Sequence, residues 1–254
     1  MKHTFLFLIT LLILSCSTRK QVVYYQDIDD KDLVPIDSIY KHPKIQVNDI
    51  LNITTAALNS ESVSPYSFGS EDNNVGMFMP VGLLKLSGYL VNNVGEINFP
   101  QLGKIYVEGM TTQEIQQLLQ NKLSKYIKDP TVNVRIINFK YTIQGEIGRP
   151  GTYETIEENL TLPQALAQAG DLNLRARRNN IMIYRQENGI REVKRIDLTQ
   201  TDWMNTEFFY VKPNDLIYVE PNRPQVKSAG FINGVGTFLS VFSILLSTTL
   251  IIIR

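Results

Sequence analysis

The chain has 254 residues, 25 basic against 25 acidic side chains, one cysteine and two histidines. Zero net charge argues against nucleic acid as a bulk partner, because phosphate binding draws on an excess of Lys and Arg. One cysteine and two histidines are too few for a Cys/His metal cluster, so no cofactor is expected, and His42 reads as an ordinary surface histidine. The length allows one or two modest domains.

Met1-Lys2-His3 is a short positive leader to an apolar run, Thr4 to Leu14, of secretory-signal length and too short for a comfortable membrane span. The run ends Ile13-Leu14-Ser15-Cys16. An aliphatic, a variable and a small residue before cysteine resemble the lipobox of bacterial lipoproteins. That resemblance implies cleavage before Cys16 and lipidation of Cys16. The polar stretch that follows, with Asp27, Asp29, Asp30 and Asp32, reads as a tether to the folded part, in which "VVYYQ" could form a short docking strand.

"KIQVNDILNITT" reads as strand, turn at Asn48-Asp49 and strand, since Asn tolerates the left-handed conformation of a tight turn. "VKPNDLIYVEP" repeats the phrase near the end of the folded region. Asn59 to Leu86 is a long Ser/Asn/Gly/Pro-rich excursion. "GYLVNNVGEINFPQLGKIYVEGM" gives three strands with turns at Asn93 to Gly95 and Pro100 to Gly103. Thr111 with Glu114 forms a capping-box pattern for a helix whose apolar face is Ile115, Leu118, Leu119, Leu123 and Tyr126. This helix should stop near Lys128-Asp129-Pro130. A strand follows, with Val132, Val134 and Ile136 on one face. A second unit starts near Lys140. It has a type II turn at Pro150-Gly151, a short helix capped by Thr161 and ended by Gly170, and a hairpin around Asn188-Gly189.

No charged residue falls between Ser228 and Ile253. As a helix, Phe231 to Ile253 would be about 34 Å long, against about 30 Å for a bilayer core. A C-terminal transmembrane helix is therefore expected. Asn233, Gly236, Thr237, Ser240, Ser243 and Ser247 fall within one sector of it, interrupted by Ile244 and Ile251. Such a stripe is a candidate helix-packing face or a lumen lining, with a plain lipid-facing anchor as the alternative.

Arg175, Arg177, Arg178, Arg185, Arg191, Lys194 and Arg195 crowd one segment against Glu187 and Glu192. Arg175, Arg177 and Arg178 are candidates to face an anionic polymer; solvated strand faces or ion pairs between subunits are the plainer reading. Carboxylates are plentiful, Glu154 and Asp171 among them, yet no spacing singles out a glycosidase pair, and no enzyme is expected.

Taken in order, "NVGEINFPQLGKIYVEGMTTQEI", "QGEIGRPGTYE", "NLTLPQALAQAGD" and "NDLIYV" resemble the outer-membrane polysaccharide export (Wza-like) family with a β-grasp-like SLBB domain. Asn48 and Asn214 stand where that family usually has glycine, and Asp171 replaces the second glycine after the short helix. Only one SLBB unit is present. The resemblance implies an α+β protein with this layout: lipoprotein signal peptide 1–15, lipid-anchored tether 16–40, polysaccharide export domain 41–139, SLBB domain 140–222, linker 223–230 and C-terminal membrane helix 231–254. It further implies an outer-membrane lipoprotein with periplasmic domains, assembled as a homo-oligomeric ring around an aqueous passage for capsular or exopolysaccharide. The ring would be fed by an inner-membrane chain-length regulator, often a tyrosine kinase. In that family the C-terminal helix lines an α-helical pore. The competing expectation is a non-pore periplasmic glycan-binding or adaptor lipoprotein of the same export complex.

Overall fold

The computed structural model describes residues 19–58, 63–66, 85–187, 189–222 and 235–253. The signal peptide 1–15, Cys16, the linker 223–230, Asn233 and most of the 59–86 excursion lie outside the described residues.

The first unit is built around a three-stranded antiparallel sheet in the order β2 (Tyr89–Leu90), β1 (Ile50–Ala56), β5 (Thr131–Ile136). A small hairpin, β3 (Glu96–Phe99) with β4 (Gly103–Tyr106), sits beside it. Strand β5 alternates as its sequence requires, burying Val132, Val134 and Ile136 and exposing the residues between them. A one-turn helix α1 (Ile36–Ile39) precedes the sheet, and helix α2 (Thr112–Leu123) packs on β5. The α2 capping box is complete: the Thr111 hydroxyl accepts from Glu114 N, and the Glu114 carboxylate accepts from Thr111 N. Ile115, Leu119 and Leu123 are buried in the core.

Three local expectations change. α2 ends at Leu123, short of the proline, and the Ile127 and Tyr126 amides fold back onto the Leu123 carbonyl. Tyr126 is thereby thrown off the apolar face and left 65% exposed. The stretch before Asn48 is not a strand of any sheet, although Ile45 exchanges backbone bonds with Met110 and Gly109, each 2.9 Å.

The second unit is a five-stranded sheet in the order β7 (Gly151–Thr155), β6 (Phe139–Gly145), β10 (Leu216–Pro221), β8 (Ala176–Glu187), β9 (Ile190–Ile196). β6 and β10 run parallel; the other pairs are antiparallel. Helix α3 (Leu162–Gln168) carries a second capping box, Thr161 with Gln164, and is followed by Gly170 and Asp171, both with positive φ. The β8–β9 hairpin pairs up to Glu187 and Ile190, with Gly189 at φ 75. The Pro150-Gly151 turn is not type II, because Gly151 has no positive φ and opens β7. Core side chains of both units form one continuous apolar cluster from Leu51 and Ile115 to Ile183 and Val219.

Two larger readings change. The docking expected of "VVYYQ" occurs, though not as a strand, and with it the described part of the tether, from residue 19 to Tyr40, is packed onto the second unit. Tyr25 N and Gln26 N donate to the Leu198 and Thr199 carbonyls, and Lys31 meets Asp202 at 2.7 Å. Composition hid this because the contacts rest on a few backbone groups and aromatic rings rather than on an apolar run. The second correction concerns the C-terminus. Helix α4 covers Val235–Ile253, and among the described residues no helix is long and apolar enough to cross a membrane. The expected transmembrane helix is therefore not supported. The described helix of 19 residues is about 28 Å long, and Gly, Thr and Ser recur along it.

Candidate functional site

The repeated Asn-Asp phrases build the same turn twice. Asn48 and Asn214 adopt φ of 70 and 66. Asp49 N donates to the Gln46 carbonyl, and Asp215 N to that of Lys212, each at 3.1 Å. Each aspartate then accepts a bond from the same amide: Gln46 N to Asp49 Oδ2 at 2.8 Å, and Lys212 N to Asp215 Oδ2 at 2.9 Å. The two turns meet, Asn214 Nδ2 lying 3.3 Å from Gln46 Oε1. Strands β1 and β10 leave these turns and enter the two sheets, so the paired turns register one unit against the other.

Asp49 is buried, which pushes its carboxyl up to about 6 against the pull of the Gln46 amide. The folded protein thus holds a proton that the unfolded chain releases from about pH 4 upward. Stability from this group is full below that range and falls by roughly 3 kcal/mol as pH rises through 6. Asp49→Asn keeps an acceptor for Gln46 N and removes the titration. Urea unfolding at pH 4 and pH 7 should show the variant gaining about 2–3 kcal/mol on the wild type between the two; a constant difference would contradict the burial effect.

In the second turn Asp215 faces a cation. Arg185 Nε and Nη2 bond its two carboxylate oxygens at 2.9 and 2.7 Å, Nη2 also reaches the Tyr210 carbonyl, and the guanidinium lies over Phe208. Both side chains are buried. Lys212 Nζ sits between Glu187 and Glu207 at 2.6 and 3.1 Å. Burial pushes Glu207 up, but the Lys212 bond and charge outweigh it and hold the carboxyl below its ordinary range. Sequence reading missed this group, though strand parity signals it: Arg185 shares its face with Ile181 and Ile183, and Asp215 with Ile217 and Val219.

The candidate polysaccharide-facing arginines do not form one patch. Arg178 is 4% exposed, bonds the Leu172 and Ala176 carbonyls, and lies over the Tyr24 ring at 5.2 Å. It is part of the seat for the N-terminal segment, where Tyr24 also donates to Asp171 at 2.8 Å. Burial, then this bond, pushes the Tyr24 hydroxyl well up. Arg177 is exposed and shares Glu220 with Arg195, at 3.1 and 3.2 Å. Arg175 is exposed.

The two carboxylates weighed for glycoside cleavage have other partners. Glu154 holds Lys85 through both oxygens at 2.7 Å, and Asp171 accepts from Tyr24 and from Leu172 N. His42 lies against Gln113 and 3.8 Å from Glu158. Among the described residues, no group of three or more His, Cys, Asp or Glu side chains is placed to hold a metal ion.

On α4, Gly236, Ser240, Ser243 and Ser247 are exposed. The Ser240 and Ser247 hydroxyls donate to the Gly236 and Ser243 carbonyls of their own helix, each at 2.8 Å, so these two hydroxyls are satisfied within the helix. Thr237 is in the helix, while Asn233 lies outside the described residues.

Residues 39–137 match the family described as polysaccharide biosynthesis/export protein, and residues 140–194 match the SLBB domain. Two relatives carry the name EPS I polysaccharide export outer membrane protein EpsA. The one from Ralstonia nicotianae is 32% identical over 136 residues, 51% of this chain and 35% of the relative. The one from Ralstonia solanacearum is 32% identical over 137 residues, 52% of this chain and 35% of the relative. The match thus spans about a third of each relative's length. The chain thus carries, in tandem, a region similar to the polysaccharide biosynthesis/export family and a region similar to the SLBB domain, joined through matched Asn-Asp turns.

Proposed function

We propose that this protein is a lipid-anchored subunit of an oligomeric outer-membrane assembly that conducts capsular or exopolysaccharide out of the cell. The observation that carries the reading is the tandem of export and SLBB regions, registered by paired turns and supported by 32% identity over 136 residues to a relative named for polysaccharide export at the outer membrane. The role is passive: the protein guides polymer and docks partners, the expected one being an inner-membrane chain-length regulator or tyrosine kinase. Lipidation falls on Cys16. The N-terminal segment then ties that anchor to the SLBB sheet through Tyr24, Tyr25 and Lys31. The stripe on α4 serves as a packing face toward a neighbouring copy.

The test is genetic and biochemical. Deleting the gene should abolish surface polysaccharide, and the intact gene should restore it. Cys16→Ala should lose lipid labelling and accumulate precursor. Detergent-extracted protein should run as a discrete multiple of the protomer. Normal surface polysaccharide in the deletion strain would refute the export role, and normal lipid labelling of Cys16→Ala would refute the anchor.

A further inference from the structure

The five-stranded sheet ends in two open edges of opposite character. β7 pairs only with β6, and β9 only with β8, among the described residues. From Gly151 to Leu162 the chain carries Glu154, Glu157 and Glu158 and no cation. β9 carries Arg191, Lys194 and Arg195 against Glu192. Ile190 and Val193 of β9 are 71% and 55% exposed, and Ile156, just past β7, is 48% exposed. Long open edges with exposed apolar residues are templates for pairing with another chain.

From these edges we infer that β9 of one copy pairs with β7 of the next, so that the sheets run on from subunit to subunit; this rests on the oligomeric reading above and names its interface. Strand direction fits. β6, β10 and β9 point one way, β7 and β8 the other. Copies set side by side in the same orientation therefore bring β9 against β7 antiparallel. This is a head-to-tail contact, the kind that closes into a ring when the rotation between neighbours closes.

Register follows from the rows across the sheet. Thr152, Thr142, Leu216, Tyr184 and Val193 stand opposite one another in one unbroken row over all five strands. A closed ring turns without rising, so with strands close to the axis direction this row continues and Val193 meets Thr152 of the next copy. Two residues along, Arg191 then meets Glu154 on the same face. The Glu154 side chain is 55% exposed even with Lys85 attached, which leaves it able to take a second cation. Opposite charges across neighbouring strands favour the pairing, and like charges oppose it.

The test uses the full-length protein in detergent. Thr152→Cys with Val193→Cys in one chain should give, on oxidation, a ladder of covalent oligomers. Each single variant has one free thiol, because Cys16 carries the lipid, and gives at most a dimer. Arg191→Glu or Glu154→Lys should each raise the dissociation constant of the assembly about tenfold, and the two reversals together should restore it. These positions are exposed, so folding is not at stake. A wild-type oligomer that yields no ladder and ignores both charge reversals would overturn the edge pairing while leaving the export reading in place. A wild-type monomer would overturn the pairing together with the oligomeric reading.

Discussion

Arg185→Met should destabilise the protein by about 3–5 kcal/mol, the range for removing one partner of a buried ion pair. Arg185 and Asp215 are 3% and 1% exposed, and two hydrogen bonds join them. Without the guanidinium, the Asp215 carboxylate keeps only the Lys212 amide among these contacts, and the Tyr210 carbonyl loses the Arg185 donor. The loss falls on the turn that feeds β10 and contacts Gln46 of the first unit, so docking of the two units should loosen with it. Adding Asp215→Asn to Arg185→Met removes the lone charge while keeping an acceptor for Lys212 N, and should recover part of the loss. Urea unfolding of the two variants and wild type decides the matter. A loss below about 1 kcal/mol in Arg185→Met would place the pair among ion pairs of no net value.

Much of this fold could be read before any coordinates, and the reason is locality. The Thr111–Glu114 capping box, the Thr161 cap, the hairpin at Gly189 and the alternation of β5 depend on side chains within a few neighbours of the backbone they satisfy. The repeated Asn-Asp phrase belongs to the same class, since each aspartate bonds an amide only three residues back. What escaped was long-range. Arg178 and Arg185 looked like members of a surface run because five other cations flank them, yet strand parity turns Arg185 inward and the docked Tyr24 covers Arg178. The partner of each lies far away in sequence, and charge counting cannot see it. Residues 20–40 were only partly legible for the same reason: "VVYYQ" offered a docking element, but the composition around it is that of a solvated linker and does not point to Leu198, Thr199 and Asp202 as its contacts. In the tail, length and the absence of charge suggested a membrane span, but neither measures what small polar residues do to a helix's apolar character.

Two glycines of the SLBB sheet should answer the same substitution in opposite ways. Gly145 ends β6 with φ 97, a conformation that side chains rarely adopt, and lies in register with Val219 of β10. A Cβ there would stand 2.0 Å from the Val219 carbonyl oxygen and 2.9 Å from its carbon. Backbone atoms of a central parallel pair cannot rotate away as a side-chain tip can, and Glu146 N bonds that same carbonyl at 3.0 Å. Gly145→Ala therefore combines backbone strain with overpacking, together roughly 3–6 kcal/mol, a large fraction of the whole stability of an ordinary domain. Gly151 opens edge strand β7 without a positive φ, and a Cβ there meets nothing within 4 Å. Gly151→Ala should be neutral or stabilise by about 0.5–1 kcal/mol through reduced freedom of the unfolded chain. Urea midpoints of the purified variants measure both. Because β6 and β10 connect the β7 edge to the β9 edge, Gly145→Ala should also remove surface polysaccharide in the cell where Gly151→Ala retains it. A Gly145→Ala protein within about 1 kcal/mol of wild type would mean that the close approach of these two strands is not what holds the sheet together.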